Sequence, residues 1–198
     1  MSKKKFMILL CIIQVVVILF QCCIQVAINN RRYGDQLYSG SMRMQVQFAE
    51  LAWWADYLLE EFHREGVEPA EVVTWSFDNA LWDATHIYPD APMREEETVE
   101  YRVLFDRIWE RILKGYGITA NDNLRYQYFF VDAERAEKMA ELITQLELTV
   151  KILQGFQDKY NQMSEWDRYF TSWRKERDAL SGQLKLPETL AAWSNELK

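Results

Sequence analysis

Beyond Cys23 the sequence contains no cysteine, and Cys11, Cys22 and Cys23 all fall in one apolar stretch near the N-terminus. A disulfide framework for the folded part of the chain is thereby excluded. Histidine occurs only at 63 and 86. No serine stands in a nucleophile-elbow pattern. No glycine-rich phosphate loop exists: Gly115 and Gly117 lack the lysine and the following helix signal such a loop needs. Asn121–Asn123 lacks the glycine and the terminal glutamate of a calcium loop. There is no internal repeat and no low-complexity tract.

Acid is missing from the first 32 residues, which hold Lys3, Lys4, Lys5, Arg31 and Arg32. Residues 33–198 carry 18 basic and 30 acidic side chains, a net of -12. An acidic body repels phosphate backbones, so nucleic acid is not an expected partner. Anionic headgroups repel it too, so the body is not expected to lie flat on a membrane.

What the sequence does have is an uncharged run of 23 residues, Phe6 to Ile28. A helix of that length covers about 34 Å, enough for a hydrocarbon core of roughly 30 Å. A cleaved signal peptide would have a shorter apolar region ending in small residues. Here the run is longer, and Phe20 and Gln21 precede Cys22, where a lipoprotein site needs small residues. The segment reads as an uncleaved signal-anchor. Lys3–Lys5 outweigh Arg31 and Arg32, so the positive-inside rule favours the N-terminus in the cytoplasm and the acidic body outside. The expected site is a bacterial inner membrane, with the body in the periplasm if the cell is Gram-negative. The alternative is a cytoplasmic body, since the two arginines pull the other way.

The sequence divides into a basic flank (1–5), an anchor (6–28), a juxtamembrane joint (29–41) and an acidic helical domain (42–198). Gly34 and Ser39–Ser41 predict a flexible break in the joint. Met42–Glu65 reads as a helix, with Phe48, Leu51, Ala55, Leu58 and Phe62 on one face. Gly66 ends it and Pro69 opens a second helix, striped by Val73, Phe77, Leu81 and Ala84 and closed by the Tyr88–Pro92 turn. A third runs from Met93 to Lys114, with Glu95–Glu97 in its first turn and Tyr101, Phe105, Ile108 and Ile112 inside. Gly115–Asn123 reads as a loop, and Leu124–Val131 leans helical. Asp132 caps the longest helix, ending near Met163, with Ala136, Met139, Ile143, Leu146, Val150 and Leu153 as its stripe. That stripe fits a bundle core better than an intermolecular coiled coil. Ser164 and Asp167 resemble a capping box for a helix from Glu165 to Leu180, on which Trp166, Phe170, Trp173 and Arg177 share a face. Ser181 and Gly182 end it, and Pro187 opens a last short helix. The expected fold is all-α: one transmembrane helix followed by an antiparallel bundle of five or six helices.

Chemistry is sparse. Glu60–His63 and Asp83–His86 each place a carboxylate and a histidine on one helix face, the pattern of bundle metal sites. The histidines fall near opposite ends of antiparallel helices, however, and the 17 residues before His86 span about 25 Å, too far for one coordination sphere. No catalytic residue, metal or cofactor is expected. The aromatics Trp53, Trp54 and Tyr57 lie beside the main stripe of their helix. They suit either a helix packed on two sides or a partner surface.

The sharpest feature lies in the anchor. Gln14, Gln21 and Gln25 fall within an arc of about 40°, with Ile18 beside it, about 20° beyond one edge. Unpaired amides in hydrocarbon are costly, whereas amide bonds across helices contribute roughly 0.6–2 kcal/mol each. The competing account is that glutamines bond to their own helix or reach the interface. The shared face favours a helix–helix seam. The expected function is therefore an anchored interaction subunit of a membrane complex, as a homo-oligomer or with another transmembrane protein. The alternative is a ligand-binding or sensor domain working through a partner.

Overall fold

The computed structural model describes residues 3–63, 71–86, 92–113 and 133–197. Among them every regular element is helical. In chain order these are α1 (Lys3–His63), α2 (Glu71–Thr85), α3 (Glu95–Ile108), α4 (Ala133–Gln162), α5 (Glu165–Phe170), α6 (Trp173–Gln183) and α7 (Glu188–Glu196). A single π-helical turn, Trp109–Leu113, prolongs α3. The Gly66 and Pro69 signals, the 115–123 loop, the 124–131 segment and the Asp132 cap lie outside the described residues, as does most of the Tyr88–Pro92 turn.

The expected joint at 29–41 is absent: α1 is one helix of 61 residues, about 90 Å long. The apolar run expected as an anchor and the first body helix are the same element. Two local facts explain why the breakers do not break it. The Ser41 hydroxyl donates to the Tyr38 carbonyl at 2.7 Å, so it bonds back along its own helix. Gly34 sits against the indole of Trp173: a Cβ there would lie 2.4 Å from its Cε2. Glycine at 34 admits a ring, and it costs the helix only about 1 kcal/mol in propensity.

The two halves of α1 differ in what surrounds them. Phe6 through Val26 is exposed throughout, and α1 is the one described helix long and apolar enough to cross a membrane. From Gly34 onward a buried seam begins: Gly34, Leu37, Ser41, Met44, Phe48, Leu51, Ala55 and Leu58, in alternating steps of three and four. Helix α4 answers with Met139, Leu142, Leu146, Leu153, Phe156 and Tyr160, all buried. The helices run antiparallel. Tyr38 stacks on Tyr160, the centroids 4.5 Å apart, near one end. Phe48 meets Tyr101 at 5.4 Å, and Tyr101 accepts a bond from Gln145 Nε2 at 3.2 Å farther along. The α4 stripe is thus spent within its own chain, on α1. Each fully buried Leu, Met or Phe contributes about 1.5–3 kcal/mol, so this seam dominates the stability of the body.

Helix α2 buries Phe77, Ala80, Leu81 and Ala84 against α1, and α3 buries Tyr101, Leu104, Phe105 and Ile108. The acidic first turn of α3 is as expected, but Glu97 is buried. The helix expected from Glu165 to Leu180 is two helices. Ser164 does cap α5, accepting from the Asp167 amide. The break falls at Thr171 and Ser172, both outside helical geometry. It sends Trp173 into the core at 1 % exposure while Trp166 and Phe170 stay outside at 74 % and 73 %. The four-residue face expected for Trp166, Phe170, Trp173 and Arg177 is therefore split.

Candidate functional site: the outer face and foot of the long helix

Continuity of α1 changes what its outer residues mean. At about 100° per residue, Gln14, Ile18, Gln21, Gln25, Trp53, Trp54 and Tyr57 all lie within about 60° of the direction of Gln14. Phe48, in the buried seam, lies about 160° away. On that wheel the glutamines and the exposed Trp53 and Tyr57 lie on the side away from Phe48, while Trp54, at its edge, packs on the core.

Gln14, Ile18, Gln21 and Gln25 are all exposed. Gln25 Nε2 donates to Asn29 Oδ1 at 2.9 Å, so this glutamine is met within its own helix, one turn on. Trp53 and Tyr57 stack at 6.1 Å with planes 7° apart. Trp54 stands edge-on to Trp53 at 4.4 Å. Trp53 is 60 % exposed and Tyr57 36 %, while Trp54 leans on the core. The three residues form one aromatic patch whose inner member packs and whose outer members do not.

At the lower end of the body, α4, α5 and α6 fold around residues 30–38 of α1. The Asn30 amide donates to the carbonyls of Tyr169 and Thr171, both at 2.8 Å. Trp173 Nε1 donates to the Arg168 carbonyl, also at 2.8 Å. These carbonyls lie at the end of a short helix, and side chains from outside α5 help satisfy them; the Thr171 carbonyl also accepts from the Trp173 amide at 3.0 Å. Arg31 lies 4.9 Å over the Tyr169 ring and pairs with Glu165 at 3.5 Å and Asp35 at 3.8 Å. The Tyr169 side chain first, then Glu165 and Asp35, hold its pKa above the ordinary arginine value. The Arg168 guanidinium lies 4.5 Å over Tyr160. The Tyr160 hydroxyl donates to Asp35. Burial, then this bond and the nearby Asp35 charge, push the Tyr160 pKa up to about 12. None of this cluster was legible as a unit, because its members come from residues 30–38 and 160–173.

A second concavity opens between α2 and the end of α3. It encloses 350 Å3 and is lined by Trp82, Thr85, Val103, Asp106, Arg107 and Trp109, among others. Burial raises the Asp106 pKa. Trp109 Nε1 donates to Asp78 at 2.7 Å, and Trp82 packs on His86 at 4.3 Å. Among the described residues no three or more His, Cys, Asp or Glu side chains converge as a metal site would require.

No family model, no curated protein and no solved structure matches this chain.

Proposed function

We propose that the protein is a single-pass, membrane-anchored interaction subunit whose body is an antiparallel helical bundle built on the anchor helix itself. Residues 6–28 cross the bilayer, with the N-terminus in the cytoplasm and the acidic body outside, in a bacterial inner membrane. One observation carries the reading: α1 is unbroken, and at about 100° per residue that turns Gln14, Ile18, Gln21 and Gln25 toward the same side as the exposed Trp53 and Tyr57. A partner helix lying along that face meets amides within the bilayer and rings beyond it. Because α1 is rigid, engagement at one end orients the other, and the second contact forms at a raised effective concentration. The partner is a second copy or another transmembrane protein. Enzymatic chemistry has no constellation to support it.

The test is the double substitution Gln14→Leu, Gln21→Leu in the native membrane. Hydrophobicity rises, so insertion is retained. Two amide bonds at roughly 0.6–2 kcal/mol each weaken assembly by about one to three decades. Unchanged crosslinking and particle size would refute the seam. The 350 Å3 cleft supports a second reading, a ligand-binding domain acting through that partner. Stabilisation of the body by a small molecule, abolished by Trp82→Ala, would favour it.

A further inference from the structure

Trp166 and Phe170 are the most exposed large apolar side chains among the described residues, at 74 % and 73 %. They stand one turn apart on α5, their rings nearly parallel at 11° and 6.5 Å between centroids. Neither belongs to the core, so the fold of the body does not explain them. Their position does bear on it. Asn30, which holds the Tyr169 and Thr171 carbonyls, lies two residues past Ile28, where the apolar run ends, about 3 Å along the helix. Ala27 and Ile28 are the first residues of α1 to become partly covered. Tyr160 and Trp173, on either side of α5, sit beside Tyr38 and Gly34, farther from the anchor. Thus α5 is the lowest point of the connection from α4 to α6, at the level where the exposed apolar segment of α1 ends.

We propose that α5 is a foot that docks on the bilayer, with the Trp166 and Phe170 rings seated among the headgroups. This rests on the anchored reading above. Tryptophan favours that depth because an amphipathic ring meets both apolar and wet surroundings there. The rings stand on a helix that is held against α1 close to the end of its exposed apolar surface. Charge points the same way. Residues 28–35 and 163–175 together hold five basic side chains, Arg31, Arg32, Arg168, Arg174 and Lys175, against three acidic ones. The rest of the body, 36–162 and 176–198, holds 15 basic and 27 acidic. The segments at this level are net positive, so anionic headgroups attract them, whereas the remainder of the sequence is net acidic. Foot and anchor are tied by the Asn30 bonds and by Arg31, which reaches both Tyr169 and Glu165. A single span is free to swivel, and a second contact beside it fixes the tilt and rotation of the body over the bilayer.

The test uses the full chain labelled with fluorotryptophan, in nanodiscs of phosphatidylcholine and phosphatidylglycerol in equal parts. A lipid bearing a nitroxide near its headgroup is then added. The Trp166 fluorine resonance, assigned by its loss in Trp166→Phe, is expected to broaden severalfold more than that of Trp82. Trp82 is also exposed, but its helix bonds to Gln47, about 25 Å farther along α1 than Asn30. Phe170→Ser is expected to reduce the broadening at Trp166. Alkaline carbonate washing of liposomes of the same composition reads the anchor separately. Loss of the protein from them would overturn anchor and foot together. Retention with Trp166 no broader than Trp82 would overturn the foot alone. A Trp166 resonance shielded from both lipid and water-soluble nitroxides would mean that protein covers the rings, and would equally overturn docking on lipid.

Discussion

At Gly34, Gly155 and Gly182, all within helices, substitution by alanine is expected to change stability with opposite signs. At Gly155 and Gly182 an added Cβ meets nothing within 4 Å. Alanine there removes unfolded-state freedom and improves helix propensity, so each change stabilises by about 0.5–1 kcal/mol. At Gly34 the same methyl falls 2.4–2.8 Å from three atoms of the Trp173 indole. That ring is 1 % exposed, and its Nε1 is held by the Arg168 carbonyl. It cannot swing aside without losing a buried bond and opening a gap against Tyr160, 5.3 Å away. Overpacking of this kind costs typically 1–3 kcal/mol, and the steric clash sits near the upper end. Less the propensity gain of about 1 kcal/mol, Gly34→Ala is left destabilising by about 2 kcal/mol. For a body of this size that lowers the melting temperature by about 4–8 °C. The assay is thermal unfolding of the full chain in micelles, followed by near-UV circular dichroism. A double-mutant cycle sharpens it: with Trp173→Ala already in place, Gly34→Ala becomes stabilising, and the coupling approaches 3 kcal/mol. If Gly34→Ala alone stabilises as Gly155→Ala does, the indole is not seated on α1, and a flexible joint at Gly34 regains its case.

The remaining predictions concern the foot of the body. Asn30→Ala takes the side-chain donor from the Tyr169 carbonyl of α5 and leaves the Thr171 carbonyl with only the Trp173 amide. It is expected to cost about 1–3 kcal/mol and to speed amide exchange across 165–173, while α2 and α3 exchange at the wild-type rate. Tyr160 titrates near 12 in the folded protein, against about 10 unfolded. Its folded value is raised, so its contribution is fully present below pH 10 and is lost as pH climbs from 10 toward 12. The slope of stability against pH over that window is expected to flatten in Tyr160→Phe. Asp35→Asn is expected to bring the Tyr160 titration back toward 10, read as the difference in phenolate absorbance between this variant and its Tyr160→Phe counterpart. No movement of that titration would refute the Asp35–Tyr160 contact.

Much of this protein follows from local rules. The 23 uncharged residues, the capping pair Ser164–Asp167 and the three-four stripes of Phe48–Leu58 and Met139–Leu153 each depend on residues a few positions apart. Backbone geometry alone turns such spacings into helices with one apolar side. The aromatic patch was legible for the same reason, since Trp53, Trp54 and Tyr57 are neighbours on one turn.

What failed to be legible shares a different cause. Gly34 reads as a breaker because its reason for being glycine is Trp173, 139 residues later. The face expected for Trp166, Phe170 and Trp173 assumes a helix continuing through Thr171. Asn30, another distant residue, instead satisfies the carbonyls that a break exposes. The sequence alone determined that the chain is helical, where its apolar run lies, and which side of each helix is apolar. Only the tertiary structure decided that the apolar run and the first body helix are one continuous helix, which carries the glutamines and the exposed Trp53 and Tyr57 together. It alone placed two exposed rings at the end of the apolar segment. Helical periodicity is written within a few residues, whereas a close approach between distant segments is fixed only when the whole chain packs.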